Sequence, residues 1–124
     1  MKKNFNDLAL LILRVGFGGF ILTHGISKIS MLSNPSDFGD PIGLGATTSL
    51  ILALIGEAVA PIMIIIGFKT KWAAIPPAIT MFVAAFIVHA NDDLATKEHS
   101  LLFFISFVVI FLAGAGKYSV DKAE

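Results

Sequence analysis

Four long apolar stretches, at about residues 8–28, 44–68, 72–90 and 97–114, divide the chain, with short polar segments between them. A helix needs about 20 mostly apolar residues to cross the ~30 Å of hydrocarbon in a bilayer. Each stretch meets that length or nearly does. The fourth is strictly apolar only over residues 100–114, and Thr96 is placed to cap it and extend it through Lys97 and Glu98. None of the four shows strand alternation, so the pattern predicts an all-α integral membrane four-helix bundle and not a barrel. With 124 residues the chain is a single domain, 1–124. Charged residues make up 15% of it and hydrophobic residues 56%. Soluble domains carry about 25% charged residues, so lipid is the natural solvent here.

A formal net charge of zero and nine dispersed basic residues give no nucleic-acid stripe. The chain has no cysteine, which excludes thiol–disulfide catalysis, thiolate metal sites and iron–sulfur ligation by its own residues. The start, Met1-Lys2-Lys3 before an apolar run, has the outline of a signal peptide. Arg14 interrupts that run and no small-x-small cleavage site follows, so a retained first helix is expected.

The lysines give a direction. Lys2, Lys3, Lys69, Lys71, Lys117 and Lys122 fall on one side of the four-helix arrangement, while Lys28 and Lys97 fall on the other with Asp37, Asp40, Asp92, Asp93 and Glu98. The positive-inside rule then places both termini in the cytoplasm. Trp72 and Tyr118, beside Lys71 and Lys117, suit interfacial positions.

Ionisable residues inside apolar spans are costly and therefore informative. Arg14 lies in the first span and Glu57 near the middle of the second. Opposite charges at similar depth on neighbouring antiparallel helices predict a buried Arg14–Glu57 ion pair, serving as a structural clasp or holding Glu57 as a ligand-binding or proton-titrating carboxylate. At ~100° per residue, Arg14, Gly18, Gly25 and Lys28 share one narrow sector of the first helix, with His24 beside it. That glycine face reads as the inside of the bundle. His24, His89 and His99 all belong to the half opposite the termini, with Lys28 and Glu98 near that interface. Three histidines and a carboxylate at one depth could bind a metal, but no two histidines show the i, i+4 spacing that puts two ligands on one helix face, so no metal is predicted. The candidate pocket residues are Arg14, His24, Lys28, Glu57, His89, Glu98 and His99. Pro61, one turn past Glu57, breaks a backbone bond and is expected to kink the second helix. Phe103, Phe104, Phe107 and Phe111 read most simply as lipid-facing or core filler.

The order of these blocks resembles the DoxX family of small bacterial membrane proteins. The resemblance rests on Leu13-Arg14-Val15-Gly16 leading to His24-Gly25-Ile26-Ser27-Lys28, on Gly56-Glu57, and on Gly67-Phe68-Lys69-Thr70-Lys71. It continues through Met81 to His89, Lys97-Glu98-His99-Ser100-Leu101-Leu102, and Gly114 to Asp121. Two departures stand in the last block. Ala115 separates its glycines where the family more often has proline, and Lys117 replaces a frequent arginine. The resemblance implies a four-helix bundle in the bacterial inner membrane and an association with quinone-linked redox chemistry. DoxD-type relatives are tied to thiosulfate oxidation with quinone as electron acceptor.

Two function classes follow. In the first, the chain is a quinone-associated oxidoreductase component or accessory subunit, with the buried charges and histidines around the quinone head. With no nucleotide-binding glycine loop or cofactor-ligand motif in the chain, its electrons would come from a redox partner or a bound quinone. In the second, it is a non-catalytic scaffold for a redox protein, or a carrier of a small solute. The sequence is compatible with a catalytic or a non-catalytic chain, and with a homo-oligomer.

Overall fold

The computed structural model describes residues 5–121, and those residues form helices and connections with no strand. Helix α1 is Asn6–Ile29, α2 is Ala46–Ile66, α3 is Thr70–Val88 and α4 is Leu94–Ala113. All four are long and apolar enough to cross a membrane. Lys2, Lys3 and Lys122 lie outside the described residues.

Large apolar side chains cover the outside of the bundle, among them Ile12, Phe20, Ile62, Ile79, Ile105 and Leu112. Such a surface suits hydrocarbon and not water, and the chain is a multi-pass membrane protein. In lipid the hydrophobic effect does not hold helices together, so packing and polar contacts must. The packing centre consists of Ile21 from α1, Ile64 from α2, Ala73, Ala74 and Met81 from α3, and Phe103, Phe107 and Ile110 from α4. Phe17 meets Phe103 edge to face at 5.7 Å. Phe103 and Phe107 are thus core residues, whereas Phe111 is exposed.

The glycines of α1 set its register against α2. Gly18 packs on Ile64 and Ile65, and Gly25 packs directly on the backbone of Glu57 and Ala58. A step of seven residues up α1 matches seven back along α2, as expected for an antiparallel pair. Arg14, Gly18, Ile21 and Gly25 are the buried residues of α1, so the sector read from the sequence is the face that enters the bundle.

Helix α2 is not uniform. It is α-helical over Ala46–Leu54, widens to a π-helical turn over Ile55–Val59, and resumes as α-helix over Ala60–Ile66. Pro61 accounts for the change. Its nitrogen has no hydrogen to donate to the Glu57 carbonyl four residues earlier, and its ring crowds that carbonyl. The Ala60 N–H bonds back to the Ile55 carbonyl instead. A second π-helical turn, Ala84–Val88, ends α3 just before His89. Single π turns of this kind often re-aim side chains at functional sites.

Helix α4 begins earlier than Thr96. Its cap is Asp93, whose carboxylate accepts from the Thr96 N–H at 3.0 Å and from the Thr96 hydroxyl at 2.8 Å. The expected capping residue is therefore the one that is capped.

The described chain ends and the α2–α3 connection share one end of the bundle. After α4 the tail turns back, and the Lys117 N–H donates to the Asp7 carboxylate. Asp121 accepts from the Lys69 and Thr70 N–H groups, both at 2.7 Å, and so caps the start of α3. The α1–α2 and α3–α4 connections lie at the opposite end.

Candidate functional site

The buried charges are arranged differently from the sequence reading. Glu57, 2% exposed, pairs with Lys28, whose ammonium donates to both carboxylate oxygens at 2.6 and 2.7 Å. The expected Arg14–Glu57 pair does not form. Arg14 lies eleven residues before Gly25, the level of Glu57. At ~1.5 Å rise per residue that is about 16 Å along the helix axis.

Arg14 instead sits level with the end of α2, with its guanidinium against Gly67. It is fully buried and donates only to backbone carbonyls: Nε to Ala115 at 3.0 Å, Nη1 to Ile64 at 3.0 Å and Ile65 at 2.9 Å, and Nη2 to Tyr118. The charge that faces it electrostatically is Asp121. These carbonyls lie at or just beyond the last turns of α2 and α4, where helix carbonyls lack intrahelical partners. Arg14 is a clasp between α1, α2 and the C-terminal tail.

Lys28 and Glu57 stand at the wall of a cavity of ≈ 440 Å³ between α2 and α3, roofed by the α1–α2 connection. Several local features shape it. Gly56 lets α3 come close, since a Cβ there would overlap the Thr80 hydroxyl. The π turn of α2 contributes Ile55 and Glu57, and that of α3 contributes Ala84 and Val88. Phe38 in the roof lies 5.8 Å from the Lys28 ammonium, a cation–π contact. Asp40 holds the roof to α2 by accepting from the Gly45 N–H and the Ser49 hydroxyl, at 3.0 and 2.8 Å. The Ser49 hydroxyl, against desolvation and with the help of backbone donors, holds the Asp40 carboxyl below the usual carboxylate range.

His89 also lines the cavity. Its Nδ1 lies 2.7 Å from the Asp92 carboxylate. With Nδ1–H donating to that carboxylate, the neutral ring carries its lone pair on Nε2. Lysine has three N–H donors, and two of those on Lys28 are taken by Glu57. The largely apolar cavity thus has at its wall one Lys28 N–H that Glu57 does not take, and the His89 ring held by Asp92. Leu52, Ile55, Ile79 and Val88 line it and are exposed on the outside of the bundle, so it opens toward lipid between α2 and α3.

Of the seven pocket candidates, Lys28, Glu57 and His89 line this cavity, while Arg14, His24, Glu98 and His99 do not. His24 and His99 face one another across α1 and α4, and Glu98 is exposed. Asp92, Ser49, Phe38 and Thr80 were not singled out from the sequence. The signal for Thr80 and Phe38 exists only in three dimensions, whereas Asp92 lies three residues from His89 in a helix-ending turn. A separate cleft of ≈ 330 Å³ on the outside of α3 and α4, lined by residues such as Ala78, Phe104 and Phe111, is wholly apolar.

Four helices long and apolar enough to cross a membrane, with a lysine–glutamate pair between the first two, define a small multi-pass membrane protein. The DoxX family model matches residues 9–90, and the chain belongs to the DoxX family. Among curated relatives it is similar to the Bacillus subtilis (strain 168) protein named "Putative oxidoreductase CatD", 25% identical across 98% of this chain and 90% of the relative. It is similar also to an uncharacterized protein of Haemophilus influenzae, 26% identical across 97% of this chain and 93% of the relative. No solved structure matches.

Proposed function

We propose that this DoxX protein is a quinone-binding component or accessory subunit of an inner-membrane oxidoreductase, with the Lys28–Glu57 cavity as the quinone site. The observation that carries the reading is the pairing of a lipid-facing mouth with a buried ion pair that keeps one donor free. A quinone is a flat ring bearing two carbonyl oxygens on an isoprenoid chain. The ring suits an apolar slot, the oxygens need one or two donors, and the chain belongs in lipid. A volume of ≈ 440 Å³ falls within the ~300–1,000 Å³ of small-molecule sites. The name of the B. subtilis relative points to the same class of chemistry.

In this reading the third Lys28 N–H donates to one quinone oxygen. His89, aligned by Asp92, accepts from the hydroxyl of the reduced form. Reduction of a quinone takes up two electrons and two protons, and the residues of this chain hold and pass the protons. The electrons come from a redox partner protein. Asp92 is half exposed and links His89 to water at the end opposite the termini. With Lys69, Lys71 and Lys117 at the termini end, the positive-inside rule assigns that end to the cytoplasm. Proton exchange then occurs on the extracytoplasmic side.

The test is the quinone content of the purified protein. Wild type is expected to copurify with an isoprenoid quinone that is reduced at least tenfold in Glu57→Gln. Quinone-free protein that still captures a soluble redox enzyme would replace this reading with the scaffold. Uptake of a small solute into proteoliposomes would replace it with a carrier.

A further inference from the structure

The histidines that fall outside the cavity meet one another. His24 on α1 and His99 on α4 are 75 residues apart in the chain, yet their Nε2 atoms lie 3.2 Å apart. The ring centroids are 4.8 Å apart and the rings are tilted by 66°. Phe103, buried one turn along α4, packs edge-on to both rings, at 6.3 Å from His24 and 5.0 Å from His99. The rings are therefore held from beneath by the core, while both residues are exposed on their outer side.

Among the described residues, neither Nδ1 has a protein partner, so no second acceptor fixes the tautomer of either ring. Two neutral imidazoles meeting through Nε2 can share one proton. They can equally turn both lone pairs toward one cation. In a tetrahedral zinc site with Zn–N of ~2.0–2.1 Å, two ligand nitrogens stand about 3.3 Å apart. The observed 3.2 Å separation lies within ~0.2 Å of that value.

We propose that His24 and His99 form a two-histidine site for a borderline divalent transition-metal cation, with zinc as the representative ion. Imidazole selects such cations over magnesium or calcium, which prefer oxygen. No third histidine, cysteine, aspartate or glutamate joins the pair among the described residues. Water fills the remaining positions, and the ion exchanges readily. Once bound, the ion cross-links the first and last helices at the end opposite the termini. Since it binds only where both helices are in place, it stabilises the bundle. The i, i+4 rule misses this site because the ligands come from different helices.

The experiment uses the full chain in detergent, stripped of metal. Zinc chloride is titrated by calorimetry and by thermal melting, with magnesium chloride as the control. The expected result is one zinc ion per chain, a rise in Tm with zinc and none with magnesium, and at least tenfold weaker binding in His24→Gln and in His99→Gln. X-ray absorption of the zinc-loaded wild type keeps the test independent of how the variants fold, and two imidazole nitrogens in the zinc shell are expected. Three results would each overturn the site: no zinc binding, binding that persists in both variants, or a zinc shell without histidine. Zinc that leaves only on His89→Gln would overturn it too, since it would place the ion at His89 and Asp92.

Discussion

Lys28 reaches back along the first helix to place its ammonium on both carboxylate oxygens of Glu57, at 2.6 and 2.7 Å, one turn above the glycine that lets the two helices touch. The charge is neutralised inside the span, and the lysine keeps enough exposure, 25%, to present a donor to the cavity. Removing one partner of a fully buried pair costs about 3–5 kcal/mol. Because Lys28 is partly exposed, Glu57→Ala is expected to cost less, about 1–3 kcal/mol by the same reasoning. The double variant Lys28→Met/Glu57→Gln should recover much of that loss. A double-mutant cycle on melting in detergent measures it, and a cycle pairing Glu57 with Arg14 should be additive within about 0.5 kcal/mol.

Gly25 allows the close approach. A Cβ at that position would overlap the Glu57 carbonyl oxygen, while a Cβ on Gly19 meets nothing within 4 Å. Backbone cannot move aside as a flexible side chain can. Gly25→Ala is expected to lower stability by about 1–3 kcal/mol or more, the usual cost of overpacking. Gly19→Ala should be neutral or mildly stabilising, because alanine is the better helix former. Thermal melting of the two variants side by side distinguishes this steric account from a general intolerance of change in α1.

Arg14 is expected to behave as a structural residue. Its guanidinium fork serves four carbonyls on α2 and the C-terminal tail. An ammonium cannot span them, so Arg14→Lys should loosen the tail even though the charge is kept. Limited proteolysis is expected to cut at Lys117 or Tyr118 faster in Arg14→Lys than in wild type, with the quinone content of the folded fraction unchanged. Loss of quinone at intact stability would place Arg14 in the ligand site instead.

Acid should release the same tail. Desolvation raises the Asp121 carboxyl, but the Thr70 and Lys69 N–H donors and the Arg14 charge outweigh it and hold it below the ordinary carboxylate range. A depressed carboxylate contributes stability that is present above its unfolded pKa and is lost as pH falls through the folded value. The Tm should therefore fall below about pH 4, the ordinary aspartate range. Asp121→Ala should begin lower and show a smaller acid dependence. An identical pH profile in the variant would show that the cap does not contribute.

The four spans and the inward face of α1 were legible because lipid imposes simple rules: length, apolarity, and polar or small residues turned inward. Pairing was not legible, because two residues at similar depth in neighbouring spans do not by themselves fix the register between the helices. The start of α1 extends beyond the end of α2, so Arg14 meets Gly67 and Lys28 meets Glu57. Glycine held the missing information, since Gly25 marks the crossing and Lys28 follows one turn later. The sequence placed His24 and His99 in the same half of the bundle, but which helices bring them together shows only in three dimensions. Asp93, three residues before Thr96, is the cap, and aspartate is among the preferred capping residues.

In the proposed function a quinone head occupies the cavity beside Lys28 and Glu57. Photolabelling of the purified protein with an azidoquinone, followed by peptide mapping, tests it most directly. Label is expected on the two π-helical turns, around Ile55 to Glu57 and Ala84 to His89, and competed by unmodified quinone. Label confined to the apolar cleft of Ala78, Phe104 and Phe111, or spread evenly over the lipid-facing surface, would contradict the assignment.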